Sequence, residues 1–347
     1  MFSARTRWNF TRNALTQALD AHRAAGLPLF DLTASNPTRV GLGLAPGGAF
    51  LPLAAAPVAR YEPDPRGLAV AREAVCAYYR SRAIEVTPDR VILTASTSEA
   101  YGWLFKLLCD PGDDVLVAHP SYPLFDDLAR LEHVTLRPFP LAYEGRWSLD
   151  LDALRARITP RTRAVLLVHP NNPTGSFLRG DELAALVEVC LAHDLALVCD
   201  EVFGDYAYAP DARRVESLAG VTGVLTFTLS GLSKVVAMPQ MKLGWIAVSG
   251  PAPRRHEAVE RLEFIADCYL SVGAPVQHAA SAFLARREEI QGGIVQRVRG
   301  NREVLRARLG PRSRATLLGA EGGWYATLQV ARTRSEEEWA VAPLERD

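Results

Sequence analysis

Lysine is almost absent from this sequence of 347 residues, in which only three of the 39 basic residues are lysines: Lys106, Lys234 and Lys242. A base-composition bias in the gene explains most of the preference for arginine. Arginine does not lose its proton in a protein, so it can neither act as a nucleophile nor condense with a carbonyl group. A chain that uses arginine almost everywhere keeps lysine where a free amine is needed. The three lysines are therefore candidate reactive groups.

Cysteine is scarce too, and its five residues are scattered, with no pair in a CxxC arrangement. That pattern favours free thiols in a reducing compartment, and we predict the cytoplasm. Acidic and basic residues number 39 each, so the chain lacks the basic surplus of a nucleic-acid-binding protein. It also lacks an apolar run near the ~18 residues of a membrane helix, and a cluster of His, Cys, Asp and Glu with metal spacing. We expect no nucleic-acid, membrane or metal partner.

From residue 29 onward the sequence alternates short apolar runs with amphipathic stretches. We predict strands at 90–94, 115–118, 163–168, 195–199, 224–229 and 243–248, and helices at 67–82, 98–109, 124–132 and 180–193. Several of the runs are apolar throughout, which is typical of strands covered on both faces. Strands separated by helices indicate βαβ units, so the sequence predicts an α/β fold with a mostly parallel sheet between helices.

The pattern changes after Pro253, where it becomes mostly helical. Helices are predicted at 254–269, 275–289 and 294–309, followed by a strand near 323–330 and a helix from Ser335. A further helix precedes Gly26 near the start of the chain. The length allows two domains. We predict a large domain over 34–252 and a smaller α/β domain formed by 1–33 and 253–347.

Polar residues stand directly after the predicted strands, where ligands of open parallel sheets bind. The run Ser96-Thr97-Ser98 starts a helix; it is either an ordinary N-cap or a site for an anion such as phosphate. Tyr122, between a serine and a proline, either packs or contacts a ligand. Asp200 follows an apolar strand, and a carboxylate buried there needs a cation opposite it.

In their order along the chain, these motifs resemble the active site of class I/II aminotransferases, the pyridoxal-phosphate enzymes of fold type I in the aspartate aminotransferase superfamily. The most specific ones are Asn172-Pro-Thr-Gly175, Asp200-Glu201, Ser233-Lys234 and Lys242-Leu-Gly244-Trp245. The segments Tyr61–Gly67 and Gly322–Tyr325 are similar to the family as well. The resemblance implies pyridoxal 5′-phosphate as the cofactor and a homodimer with shared active sites.

The resemblance also implies a role for each matching residue. Lys234 would hold the cofactor as an aldimine and move the substrate proton, and Asp200 would pair with the pyridine nitrogen. Asn172 would bond the ring 3-oxygen, and Tyr122 would stack on the ring. The phosphate would contact Ser96, Thr97, Ser98, a serine near the lysine (Ser230 or Ser233), Lys242, and Tyr61 of the neighbouring subunit.

Three positions depart from the family pattern. Lys242 stands where an arginine is usual, which keeps the charge but loses the bidentate fork. Phe203 replaces a tyrosine and cannot donate to the 3-oxygen. Gly231 occupies the usual position of the phosphate serine, with Ser230 one residue earlier, so the identity of the phosphate serine stays open.

The implied activity is transfer of an amino group from an L-amino acid to a 2-oxo acid. A C–S β-lyase or a decarboxylase of the same fold remains an alternative. Family members continue beyond the point that matches Asp347, and that segment carries the arginine for the substrate carboxylate. We therefore expect the small domain to be incomplete at its C-terminus, and a truncated chain that binds the cofactor with little activity is the third possibility. No motif in the sequence indicates which substrate side chain the site accepts.

Overall fold

A single large sheet lies at the centre of the computed structural model, which describes residues 1–44, 48–310 and 313–344. Its strands are β1 (Val91–Thr94), β2 (Asp114–His119), β3 (Thr135–Tyr143), β4 (Trp147–Leu149), β5 (Thr162–Val168), β6 (Ala196–Asp200), β7 (Thr226–Gly231) and β8 (Gly244–Ser249). A separate pair is formed by β9 (Ala315–Leu317) and β10 (Leu328–Val330).

The strand order in the large sheet is β1-β8-β7-β6-β5-β2-β3-β4. The five central strands, β7, β6, β5, β2 and β3, run parallel, whereas β8 is antiparallel to both β1 and β7. Every residue of β1, β6, β7 and β8 is buried, as the uniformly apolar runs predict. The predicted α/β fold with a mostly parallel sheet is confirmed.

Helices cover both faces of this sheet. They are α1 (Ala14–Ala24), α2 (Ala69–Arg80), α3 (Thr97–Leu108), α4 (Phe125–Leu131), α5 (Leu151–Arg155), α6 (Gly180–Ala192), α7 (Leu232–Val235), α8 (Ala252–Asp267), α9 (Ala274–Ala285), α10 (Arg287–Arg308) and α11 (Glu336–Val341). Across the described residues, no helix combines the length and the apolar character required to cross a membrane. The last residues of the predicted C-terminal helix, 345–347, lie outside the described part of the chain.

The edge hairpin β3–β4 is absent from the predicted elements. Pro138 and Pro140 lie inside β3, and proline cannot donate a hydrogen bond to a neighbouring strand. Here the sheet tolerates them because β3 lies next to the edge and bonds only to β2 and the short β4. Because proline is rare inside strands, the sequence of this segment does not predict a strand.

The division into two domains stays a prediction, but the packing of α8 and α9 bears on its boundary. Leu262 of α8 is buried in the same apolar cluster as Ile246 of the sheet. Phe283 of α9 is buried in the cluster that contains Trp245. Both helices were assigned to the small domain, yet they cover the sheet of the large one.

Candidate active site

A cavity of about 350 Å³ opens at the carboxyl ends of the central strands. Of the twelve predicted site residues, nine line it: Ser96, Thr97, Ser98, Tyr122, Asn172, Asp200, Phe203, Ser233 and Lys234. They come from the ends of different strands and from the starts of the helices that follow. The parallel arrangement brings these ends to one edge of the sheet, which is where ligands bind in folds of this type.

Asp200 ends β6 and lies at the bottom of the cavity with 5% of its surface exposed. Its Oδ2 accepts a 2.8 Å hydrogen bond from the hydroxyl of Tyr101, and its Oδ1 accepts one of 2.9 Å from the amide of Val202. Burial raises the pKa of Asp200 to about 6, although these two hydrogen bonds and the charge of Lys234 oppose the rise. The carboxylate is thus held in place but is short of positive charge.

Lys234 lies in α7, a single turn that directly follows β7, the strand bonded to β6. Its Nζ is 5.6 Å from the ring centroid of Phe203 and 5.0 Å from that of Trp324. Burial lowers the pKa of Lys234 below its usual value, and the negative charge of Asp200 acts against this. A neutral amine capable of accepting a proton is therefore easier to form here than at the protein surface.

The first turn of α3 forms another part of the cavity wall. Ser96 is its N-cap, and its Oγ accepts a hydrogen bond of 3.2 Å from the amide of Glu99. The amides of Thr97 and Ser98 have no partner within the helix, and a helix N-terminus attracts an anion. Gly244 packs tightly beside the start of this turn: a Cβ atom there would lie 3.2 Å from the carbonyl carbon of Ser96.

Three of the predicted site residues do not line the cavity: Ser230, Lys242 and Tyr61. Ser230 and Gly231 are neighbours on β7 and face opposite sides of the sheet, and Gly231 is the one on the cavity wall. The Oγ of Ser230 is buried without a hydrogen-bond partner in the described part of the chain. Lys242 is exposed, with φ at +51°. Ser233 is thus the serine near Lys234 that reaches the cavity.

Tyr61 lies apart from this cavity, with 83% of its surface exposed. It lines a second cavity of about 260 Å³, together with Trp103 and Gln277. That Tyr61 contacts the site of another subunit stays a prediction.

The 172–175 turn docks on the segment that follows β9. Gly175 has φ at +71°, and a Cβ atom there would lie 2.4 Å from the carbonyl oxygen of Gly322. The carbonyl oxygen of Gly175 accepts hydrogen bonds of 2.9 and 3.0 Å from the amides of Glu321 and Gly322. Tyr325, three residues after Gly322, lines the cavity.

Sequence reasoning missed several residues of the site. Tyr325, Ser35, Val202 and Pro239 also line the cavity. The motif Gly322–Tyr325 had been noticed, but no role followed from it. Ser35 comes from a segment near the start of the chain where the sequence has no motif for a site.

Positive charge at the cavity is limited. No arginine of the described residues lines it, and Lys234 is the basic side chain on its wall. A substrate carboxylate at this wall would therefore lack a guanidinium partner within the described ranges.

The residues present fit pyridoxal phosphate. Asp200 is a buried carboxylate that needs a cation, and a protonated pyridine nitrogen is one. Lys234 offers an amine with a lowered pKa, and the amides of Thr97 and Ser98 offer donors for a phosphate. The ring nitrogen, the aldehyde and the phosphate of the cofactor thus each have a candidate partner on the cavity wall.

Comparisons with known proteins agree with this fit. The family model described as "Aminotransferase class I and II" matches residues 53–344. The glutamate-pyruvate aminotransferase AlaA of Escherichia coli (strain K12) is 32% identical over 235 residues, which are 67% of this chain and 58% of that protein. The probable N-succinyldiaminopimelate aminotransferase DapC of Mycobacterium tuberculosis (strain CDC 1551 / Oshkosh) is 33% identical over 259 residues, 73% of this chain and 63% of that protein.

Solved structures extend the likeness to the whole fold. An alanine aminotransferase from Pyrococcus furiosus superposes with a TM-score of 0.84, covering 97% of this chain and 86% of that one at 24% identity. The matched region spans less than two thirds of the length of the two curated relatives. The family match covers most of the chain, and the chain therefore belongs to the class I and II aminotransferases, whose cofactor is pyridoxal 5′-phosphate.

Proposed function

We propose that this chain is an aminotransferase that moves an amino group from an L-amino acid to a 2-oxo acid in the cavity between Asp200 and Lys234. The observation that carries the proposal is that both side chains line the same cavity, at the ends of adjacent strands. Neither is neutralised by a direct ion pair in the described residues: Asp200 has two hydrogen bonds, and Lys234 contacts aromatic rings.

When bound, pyridoxal phosphate supplies an aldehyde that condenses with amines and a protonated ring that takes up electrons from the substrate Cα. Asp200 keeps the ring nitrogen protonated, because a carboxylate beside a pyridinium stabilises its charge. The same contact stabilises the ionised form of Asp200, whose pKa is otherwise raised to about 6.

Lys234 binds the cofactor and then moves the proton at the substrate Cα. Proton transfer is efficient when the pKa of the base lies near the working pH, and burial lowers the pKa of this amine in that direction. Phe203 and Trp324 lie beside Nζ and contribute to its burial.

The names of the relatives suggest which substrates to test first. Two of them are called alanine or glutamate-pyruvate aminotransferases, and a third is called a probable N-succinyldiaminopimelate aminotransferase. We propose glutamate and alanine as amino donors and pyruvate as an acceptor. Tyr325 lines the cavity and would contact the side chain of the donor.

A homodimer is part of the proposal. It is supported by the high exposure of Tyr61, which lines a cavity other than the one that holds Lys234. Light scattering of the purified protein, followed by Tyr61→Phe, tests it: a dimer whose cofactor affinity falls in the variant supports a shared site.

The absence of arginine from the cavity wall in the described residues favours one further candidate, a chain that binds the cofactor but turns over slowly. Bidentate arginine pairing fixes the orientation of a carboxylate as well as its affinity. The two candidates differ in substrate turnover and agree in cofactor binding.

One experiment separates these possibilities. The purified protein is loaded with pyridoxal phosphate, mixed with single amino acids, and followed by the visible spectrum of the cofactor. Conversion to the amine form with glutamate or alanine, reversed by pyruvate, supports an aminotransferase, whereas release of ammonia and pyruvate from cystathionine supports a β-lyase. A stable cofactor spectrum with every amino acid supports the low-turnover candidate.

Lys234→Arg and Lys106→Arg are the matched variants that test which amine binds the cofactor. Both keep the charge, and Lys106 lies away from the cavity on α3, where it pairs with Glu132. Borohydride reduction should attach the cofactor to the peptide containing Lys234 in the wild type and in Lys106→Arg. Attachment to Lys106 or Lys242 would contradict the assignment.

A further inference from the structure

The turn that carries Lys234 is held from outside by two side chains. Helix α7 has only four residues, so its carbonyl groups find few partners within it. The carbonyl oxygen of Lys234 accepts a 2.5 Å hydrogen bond from the hydroxyl of Tyr206 and a longer one of 3.3 Å from the amide of Ala237. The carbonyl oxygen of Val235 accepts one of 2.9 Å from the side-chain amide of Gln291 on α10.

Tyr206 is itself tightly placed. It is 1% exposed, and its amide donates a 2.9 Å hydrogen bond to the carbonyl oxygen of Phe203. Its own carbonyl oxygen accepts a bond of the same length from Gly323. Its ring also packs edge-on against Trp324, with centroids 5.0 Å apart. One residue thus bonds to the backbone of Lys234 and packs against an aromatic ring that contacts its Nζ.

Gln291 belongs to a half-buried chain of polar side chains that includes Asp205, Tyr78 and Arg82. Its Nε2 donates to Oδ2 of Asp205 at 3.0 Å, and the same oxygen accepts a 3.0 Å bond from the hydroxyl of Tyr78. Arg82 donates to that hydroxyl at 2.8 Å. The same Nε2 donates to Asp205 and to the carbonyl oxygen of Val235, so the bond to Asp205 helps to orient the amide of Gln291 toward α7.

We propose that Tyr206 and Gln291 are positioning residues for Lys234, which hold consecutive carbonyl groups of α7 and so fix the backbone from which the reactive amine extends. A lysine side chain has four flexible methylene groups, so its amine is placed precisely only if its backbone is fixed. Helix α7 cannot supply this alone, since an isolated turn is unstable. The inference rests on the proposed role of Lys234.

Tyr206→Phe and Gln291→Met test the proposal, since each removes one hydrogen bond to α7 and keeps the approximate shape. Gln291→Met also removes the bond to Asp205. Tyr79→Phe is the control for a buried hydroxyl, because Tyr79 bonds to Trp245 and not to α7. Gln296→Met is the control on α10, where Gln296 is exposed. The readouts are the affinity for pyridoxal phosphate, the circular dichroism of its visible band, and the pH midpoint of Lys234 methylation in the cofactor-free protein.

Both test variants should bind pyridoxal phosphate roughly fivefold more weakly, the effect of one lost hydrogen bond, while both controls stay within twofold of the wild type. The visible dichroism should fall and the methylation midpoint should shift in the test variants alone. If they unfold at lower temperature but keep the wild-type dichroism and midpoint, their role is merely structural and the proposal is wrong. If Tyr206→Phe does not fold, Gln291→Met decides by the same readouts.

Borohydride labelling of the wild type separates the two levels of inference. A wild type that is not labelled at Lys234 contradicts the proposed function. A wild type labelled at Lys234, with test variants that match the controls, contradicts the positioning role and leaves the proposed function intact.

Discussion

The hydroxyl of Tyr101, in the second turn of α3, donates a 2.8 Å hydrogen bond to Oδ2 of Asp200 at the end of β6. Both side chains are buried, and burial raises the pKa of Tyr101 well above its usual value, so this hydroxyl keeps its proton. The bond stabilises the carboxylate without neutralising it. A cationic ligand at the cavity can therefore still gain the charge interaction.

Removing the hydroxyl of Tyr101 should destabilise the ionised form of Asp200. In Tyr101→Phe we expect the affinity for pyridoxal phosphate to fall by roughly fivefold to tenfold, because a hydrogen bond to a charged group is worth ~1.5–3 kcal/mol and part of it is regained through the cofactor. Equilibrium dialysis at pH 8 measures this. Tyr79→Phe, which removes another buried hydroxyl, should bind as the wild type does, and equal affinities in all three proteins would contradict the role of Tyr101.

Asp200 should leave a signature in the pH dependence of stability. Its pKa rises from 3.8 in the unfolded chain to about 6 in the folded, cofactor-free protein. Its contribution to stability is therefore complete below about pH 3.8 and is lost as the pH rises through about 6. At ~1.4 kcal/mol per pKa unit the loss is on the order of 2–3 kcal/mol.

Urea unfolding of the cofactor-free wild type and of Asp200→Asn, from pH 4 to pH 7, measures this loss. The variant, which has no carboxyl group at this position, should show the shallower dependence. Parallel curves for the two proteins would mean that Asp200 titrates normally in the folded state.

Phe203 lies on the cavity wall, where a hydroxyl could reach the cofactor. Phe203→Tyr should lower the pKa of the bound chromophore by about one or two units, since one hydrogen bond to a charged oxygen is worth ~1.5–3 kcal/mol. A spectral titration of the loaded variant against the wild type measures the shift. An unchanged titration would show that position 203 does not face the ring oxygen.

Gly175→Ala should destabilise the protein more than Gly145→Ala does. Both residues have positive φ, +71° and +77°, so each variant carries a backbone strain of about 1 kcal/mol. Only Gly175 has an atom in the way, the carbonyl oxygen of Gly322 at 2.4 Å from the added Cβ, whereas no described atom lies within 4 Å at Gly145.

We expect a further loss of about 2 kcal/mol or more in Gly175→Ala from this overlap, together with weaker cofactor binding, because Tyr325 would move away from the cavity. Thermal unfolding and cofactor titration of the two variants measure these effects. Equal stabilities would contradict the tight contact between the two glycines.

Much of the site could be predicted because its residues are encoded locally. Asp200 and Lys234 each stand at the end of an apolar run, and the edge of a parallel sheet collects such ends. The scarcity of lysine pointed to Lys234 independently. The helix start at Ser96 is likewise a local signal, since an N-cap serine bonds to an amide three residues later.

Other features could not be predicted, because they depend on which surfaces meet. Ser230 was a candidate for the phosphate, but its neighbour Gly231 faces the cavity, and only the register of β7 decides between them. Leu262 and Phe283 belong to segments whose periodicity predicts helices. That periodicity does not indicate which sheet the helices cover. Proline inside β3 concealed a strand that pairing with β2 stabilises.

The sequence by itself determined the alternation of strands and helices, the order of the polar motifs, and hence the family and its cofactor. Only the tertiary structure decided that Tyr101 bonds to Asp200 and that Tyr206 and Gln291 bond to the turn of Lys234. It also decided that Gly322 packs against Gly175. The physical reason is range. Burial patterns and caps act within a few residues of the chain, whereas these hydrogen bonds join residues from 28 to 99 positions apart, which only the packed sheet brings together.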